Sequence, residues 1–171
     1  MPMNRKNGVP SAAARKEEGD RESAARLKNR ILVADDDASV REMLARVLEG
    51  EGYQVWTAAN GAEALEVAAA ARVDLVLLDL KMPVKNGWDT FERLTAENPL
   101  LAVIIITACS NQLFISLGAG AGALLEKPLD FPKLLQTVRA LLAESAQAQL
   151  ARIAGKPAEF CYVPAQPNRP Q

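Results

Sequence analysis

The sequence predicts an open parallel α/β sheet covered by helices on both faces. Three observations carry that class. Apolar runs of strand type alternate with helical patterns five times along the chain. Two of these runs, DLVLLD (74–79) and LLAVIIIT (100–107), are continuously apolar, as strands buried on both faces must be. Between the runs stand Gly, Pro and Asn residues that close one element before the next begins.

Each element has its own justification. Ile31 to Ala34 is a short strand-type run. Val40, Met43, Leu44, Val47 and Leu48 then recur at helical spacing from Ser39 to Glu49, and Gly50 and Gly52 stop them. Tyr53 to Ala58 alternates in strand fashion, and Asn60-Gly61 opens a second helix through about Ala71. The third strand, Asp74 to Asp79, leads through KMPVKNG into a helix from about Trp88 to Glu97. Pro99 precedes the fourth strand. Asn111 to Leu117 fits a short helix, Ala123 to Glu126 a short fifth strand, and Asp130 caps a last long helix carrying Leu134, Leu135, Val138, Leu141 and Leu142. Crossovers between parallel strands are right-handed.

At 171 residues the chain fits one domain with tails: an N-terminal extension (1–28) without apolar periodicity, read as disordered, a folded unit over 29–145, and a helix end with a Pro-rich flexible tail over 146–171. Charge nearly balances, 20 basic against 21 acidic residues, so wholesale electrostatic binding to nucleic acid is not indicated, although the first thirty residues carry a local basic excess. Two distant cysteines, Cys109 and Cys161, no apolar leader and no run long enough for a bilayer predict a soluble, cytoplasmic protein. Histidine is absent, which removes imidazole nucleophile chemistry, imidazole metal sites and any phosphohistidine carried by these residues.

The polar residues gather at strand ends. In doubly wound sheets ligands bind outside the carboxyl ends of the strands. There the chain places Asp35-Asp36-Asp37, Asp79, Thr107 and Lys127. Two carboxylates about 4 Å apart repel by about 4 kcal/mol at an effective dielectric of about 20, so such a cluster calls for a cation. Three converging carboxylates suit Mg2+, one carboxylate can attack phosphorus, and an amine and a hydroxyl can hold the transferred oxygens. Alone, each residue also fits a cap, a turn or a solvated surface position. Their coincidence at the carboxyl edge reads as phosphoryl transfer to an aspartate.

ILVADDD, DLVLLDLKMPVKNG, AVIIITA and GALLEKP, in that order and spacing, closely resemble the receiver domain of two-component response regulators. The resemblance covers about residues 29–145. It implies a flavodoxin-like (βα)5 fold with strand order 2-1-3-4-5, Asp79 as phospho-acceptor, and Asp35, Asp36, Asp79 and the Lys81 backbone carbonyl around Mg2+. It further implies that Thr107 and Lys127 contact the phosphoryl group, that Pro128 follows a cis peptide bond, and that Met82-Pro83 and Gly87 shape the loop after the acceptor. Asp37 falls at the family's variable third position and is expected to cap the first helix.

The implied donor is a phosphohistidine on a histidine kinase or phosphotransfer protein, or a small molecule such as acetyl phosphate. The chain is expected to run only its own phosphorylation and dephosphorylation, not to turn over substrate as an enzyme. Three departures stand out. Leu124 occupies the switch position where the family has Tyr or Phe, the Thr107–Lys127 interval is about two residues short, and the stretch after the last helix is too short and Pro-rich for a DNA-binding effector. These features predict a stand-alone regulator with no DNA-binding and no membrane partner, whose output is contact with an unknown downstream protein. Two other readings stay open: a non-cycling receiver-like scaffold, and a haloacid-dehalogenase-type phosphatase with Asp35 as nucleophile and Asp37 as acid/base.

Overall fold

A computed structural model of the chain describes residues 28–82, 86–108, 110–155 and 160–165. The N-terminal extension to residue 27, Pro83 and Cys109 therefore lie outside the described residues. Among the described residues six strands form one sheet: β1 (Arg30–Ala34), β2 (Gln54–Ala58), β3 (Leu75–Asp79), β4 (Ala102–Thr107), β5 (Ala123–Glu126) and β6 (Cys161–Val163). Their order is β2-β1-β3-β4-β5-β6, and every neighbouring pair is parallel. The helices are α1 (Ala38–Gly50), α2 (Gly61–Ala70), α3 (Gly87–Glu97), α4 (Leu113–Gly118, after a 3-10 turn at Ser110–Gln112), α5 (Phe131–Leu142) and α6 (Ala146–Ile153). The flavodoxin-like order expected for the first five strands is the one observed.

Alternation along each strand divides the core in two. Ile31, Val33, Leu75, Leu77, Ile104 and Ile106 meet Leu44 and Leu48 of α1 and Leu134 and Val138 of α5 on one face. Leu32, Val76, Leu78, Val103 and Ile105 meet Ala64 of α2 and Phe91 and Leu94 of α3 on the other. Both faces of the central strands are thus covered, which is why β3 and β4 read as unbroken apolar runs.

Local capping fixes where the helices start. Asp37 accepts hydrogen bonds from the backbone N–H of Ser39 (2.8 Å) and Val40 (3.3 Å), so it is the cap of α1 and not a third member of the acidic site. Asn60 caps α2 by accepting from Glu63 N–H, while the Glu63 carboxylate accepts from Asn60 Nδ2 and from the N–H of Ala59, the residue before the cap. Asp130 caps α5 by accepting from Lys133 N–H at 3.1 Å. The short Thr107–Lys127 interval is met by a 3-10 turn and an α4 of six residues, closed by Gly120 at φ +79°.

The C-terminal region differs from expectation. Within the expected helix end and flexible tail (146–171), α6 forms behind its Ser145 cap, and Cys161–Val163 adds a sixth parallel strand to the β5 edge; residues 156–159 and 166–171 of that expected tail lie outside the described residues. The physical reason is local: Cys-Tyr-Val favours strand geometry, and proline beside a short edge strand removes no ladder bond a neighbour needs.

Gly87 carries a close approach that bears on the site. A Cβ there would press on Leu80 Cα and lie 2.7 Å from the Asp79 carbonyl oxygen, and its N–H donates to the Leu80 carbonyl at 3.2 Å. Gly87→Ala is expected to push α3 away from the end of β3 and cost about 1–3 kcal/mol. A thermal melt checks it, the expected drop being roughly 2–10 °C for a chain of this size.

Candidate functional site

The carboxyl edge of β1, β3, β4 and β5 collects the residues singled out by the sequence. β1 ends in Ala34, so Asp35 and Asp36 follow directly where the strand leaves the sheet. Asp35 is held from three sides. Its N–H donates to the Ala58 carbonyl (3.1 Å), its Oδ1 accepts from Asp37 N–H (2.9 Å), and its carbonyl accepts from Arg41 Nη1 (2.6 Å). Asp79 is the last residue of β3, and its Oδ1 accepts from Lys81 N–H at 3.0 Å. Asp35 is 1 % and Asp79 4 % exposed, while Asp36 faces solvent.

Lys127 ties the two buried carboxylates together. Its Nζ donates to Asp35 Oδ2 at 2.7 Å and to Asp79 Oδ2 at 2.8 Å. Its position is set by the end of β5, where Lys127 N–H donates to the Thr107 carbonyl (2.8 Å) and the 127–128 peptide is cis, as the resemblance implied. Thr107 ends β4, one residue past the Ile106 that pairs with Asp79, and is 1 % exposed. The amine is thus fixed between two carboxylates by the same sheet that carries them.

The electrostatics set burial against charge. Burial raises the Asp79 pKa, and the hydrogen bonds from Lys127 and Lys81 and the Lys127 charge only partly offset it. Burial alone would lower the Lys127 pKa. The hydrogen bonds and charges of Asp35 and Asp79 outweigh it, and the net shift is upward. Lys127 therefore stays an ammonium, and one cation faces two buried carboxylates with Asp36 beside them.

That surplus of negative charge is what a divalent cation would meet. One carboxylate oxygen from each of Asp35, Asp36 and Asp79 lies within 4.8 Å of the others, so small side-chain adjustments bring all three onto one hard cation. Octahedral Mg2+ with several retained waters fits this open, all-oxygen set better than a metal needing a closed cage. The Lys81 backbone reaches the site through its N–H, which donates to Asp79 Oδ1.

Sequence reading overlooked two supporting residues. Arg41, on the first turn of α1, braces the Asp35 carbonyl, a side-chain to backbone contact that left no signal in the sequence. Trp88 Nε1 donates to Gln112 Oε1 (3.1 Å), linking the start of α3 to the 3-10 turn after β4, across the two loops beside the site. Leu124, at the switch position on β5, is fully buried in the core cluster that holds Phe91 and Leu94 of α3.

A doubly wound parallel sheet with an acidic, lysine-bridged pocket at its carboxyl edge defines a signalling module of the receiver type. The response regulator receiver domain model matches residues 31–139, and the chain belongs to that family. Such domains are signalling modules of two-component systems. Over 118 residues the chain is 40 % identical to the DNA-binding response regulator MtrA of Mycolicibacterium paratuberculosis, covering 68 % of this chain and 52 % of MtrA. Among solved structures it resembles a CheY-like receiver domain protein from Methanospirillum hungatei (TM-score 0.65, 31 % identity, covering 68 % of this chain and 94 % of that one). It also resembles the response regulator TrrA from Thermotoga maritima in complex with Mg2+-BeF (TM-score 0.62, 34 % identity, covering 66 % and 98 %).

The chain spans about half the length of the curated relatives it matches. This corrects the expectation of a stand-alone regulator with no DNA-binding partner. MtrA is named a DNA-binding response regulator, and the match extends over only half of it. The described strand β6, beyond the family match, pairs with β5 at the edge of the sheet. Among the described residues no helix is long and apolar enough to cross a membrane.

Proposed function

We propose that this domain accepts a phosphoryl group on Asp79, with Mg2+ held by Asp35, Asp36, Asp79 and the Lys81 carbonyl, from a phosphohistidine of a sensor kinase or a small donor such as acetyl phosphate. The observation that carries the reading is the Lys127 ammonium bridging two buried carboxylates at 2.7 and 2.8 Å. A carboxylate oxygen of Asp79 attacks phosphorus, the P–N or P–O bond to the donor breaks, and the donor leaves with its electron pair and takes up a proton. The product is an acyl phosphate on Asp79. Lys127 remains beside the Asp79 carboxyl group and pairs with a phosphoryl oxygen, while the Thr107 hydroxyl donates to another. Mg2+, when bound, neutralises charge on the carboxylates and the phosphoryl oxygens.

The test is incubation with acetyl phosphate and Mg2+, then intact mass measurement. One added phosphoryl group, lost when Mg2+ is chelated beforehand, is expected. An unchanged mass with Mg2+ present would return the domain to the scaffold reading. The phosphatase reading meets a specific obstacle, because Asp37, its acid/base, is occupied as the α1 cap.

Metal binding has its own readout. Mg2+ that binds only the folded state stabilises it by about 2.7 kcal/mol at a hundred times its dissociation constant. The wild type is therefore expected to melt several degrees higher in excess Mg2+ than in chelator. Asp36→Asn, at an exposed position, should leave the chelated melting temperature nearly unchanged and remove most of that Mg2+ response. Differential scanning calorimetry with and without metal checks both.

A further inference from the structure

We propose that β6 is a displaceable strap: in the unphosphorylated domain Cys161–Ala165 occupies the β5 edge, and phosphorylation of Asp79 releases it. The inference rests on the reading of Asp79 as the acceptor. Its basis is how the strap is anchored. Glu126, a buried residue at the end of β5, accepts a hydrogen bond from Tyr162 Oη at Oε1 (2.9 Å) and from Ala165 N–H at Oε2 (3.2 Å). One carboxylate thus holds both the side chain and the trailing backbone of β6.

That carboxylate belongs to the residue between the site and the strand. Glu126 precedes Lys127 in the chain and pairs with Thr107 in the β4–β5 register, and the Thr107 carbonyl accepts Lys127 N–H. Before phosphorylation Lys127 is pinned by Asp35 and Asp79 together. A phosphoryl group adds bulk and charge to Asp79, so Lys127 must re-form its bonds around a larger ligand, and the end of β5 shifts with it. A further displacement of about 0.5 Å takes these hydrogen bonds, at 2.9 and 3.2 Å, beyond the usual hydrogen-bond range.

β6 is three residues long and pairs on one side only. Beyond the Glu126 anchor it is held by Val163, buried in the core with Leu134, Val138 and Leu141 of α5, and by Cys161, which packs against that core with its Sγ 3.4 Å from Thr137 Oγ1, while Tyr162 is 39 % exposed. Such elements open at the low end of a protein's local stability range. The preceding helix, in contrast, is secured elsewhere: Arg152 of α6 pairs with Glu144 at 2.7 Å and donates to the Gly120 carbonyl at 3.3 Å. The strand can therefore lift while α6 stays docked.

Hydrogen–deuterium exchange of the full chain, read by mass spectrometry on the peptide spanning 161–165, tests this alongside the intact mass. With a phosphoryl adduct present, exchange of these amides is expected to rise roughly 5-fold or more, the same treatment leaving Asp79→Asn unchanged. Tyr162→Phe, which removes one anchor without touching the site, should raise exchange roughly 2- to 10-fold without any donor. An adduct with unchanged or slower exchange overturns the strap and leaves phosphorylation standing. Unchanged exchange in Tyr162→Phe overturns the anchor, and absence of any adduct overturns the strap together with the reading it rests on.

Discussion

Asp79→Asn is expected to carry no phosphoryl group after acetyl phosphate and Mg2+, in conditions where the wild type is fully or partly converted. The amide has no anionic oxygen to attack phosphorus, and Asp35 is not free to replace it: it already accepts from Asp37 N–H at Oδ1 and from Lys127 at Oδ2. The variant should nevertheless fold well. Burial raises the Asp79 pKa, so its ionised form is a net cost to the metal-free fold. The sign comes from proton binding. Between the ordinary Asp value near 3.9 and the raised folded value, the folded state holds a proton that the unfolded chain releases, so wild-type stability falls as pH rises through that window. Asn does not titrate. In chelator, the Asp79→Asn variant should gain on the wild type as pH rises through the same window and remain more stable at neutral pH. Urea unfolding at several pH values reads the difference, and a variant less stable than wild type at neutral pH would contradict the burial argument.

Lys127→Met carries the second large effect, in the opposite direction. It removes the cation that bridges two buried carboxylates, leaving Asp35 and Asp79 facing each other without it. Breaking a buried pair from one side typically costs about 3–5 kcal/mol, and since the Lys127 side chain is 22 % exposed the lower end, about 3 kcal/mol, is expected. Mg2+ should recover a large part of that loss, because the metal supplies the charge that the ammonium no longer does. In the wild type the Lys127 contribution is complete below its unfolded pKa near 10.4 and is lost as pH rises through its raised folded value. A Lys127→Met protein as stable in chelator as the wild type would mean that the two carboxylates share a proton and not a cation.

Much of this site was legible because its chemistry sits where strands end. DLVLLD and AVIIIT are too apolar to be anything but central strands, and the polar residue closing each one is forced to the carboxyl edge. Asp35, Asp79 and Lys127 needed no other information to be brought together, and the capping role of Asp37 came from Ser39 starting a helix. Short-range signals fared worse. Arg41 was hidden because its guanidinium reaches back six residues to a backbone carbonyl, a contact no side-chain pattern encodes. β6 was hidden because three residues carry no periodicity, and the residue that fixes them, Glu126, lies thirty-six positions away from Tyr162. The output partner was misjudged for a different reason. It was inferred from the residues after the last helix, whereas the relatives show the matched region to be only about half of a response regulator such as MtrA.

Locating the phosphoryl group tests the assignment of Asp79 most directly. The protein treated with acetyl phosphate and Mg2+ is reduced with borohydride, which converts an aspartyl phosphate to homoserine, and its peptides are sequenced by mass spectrometry. Homoserine is expected at position 79 alone, and nowhere when Mg2+ is withheld. Homoserine at 35 or 36, or an unmodified Asp79 in protein that has gained a phosphoryl group, would contradict the assignment.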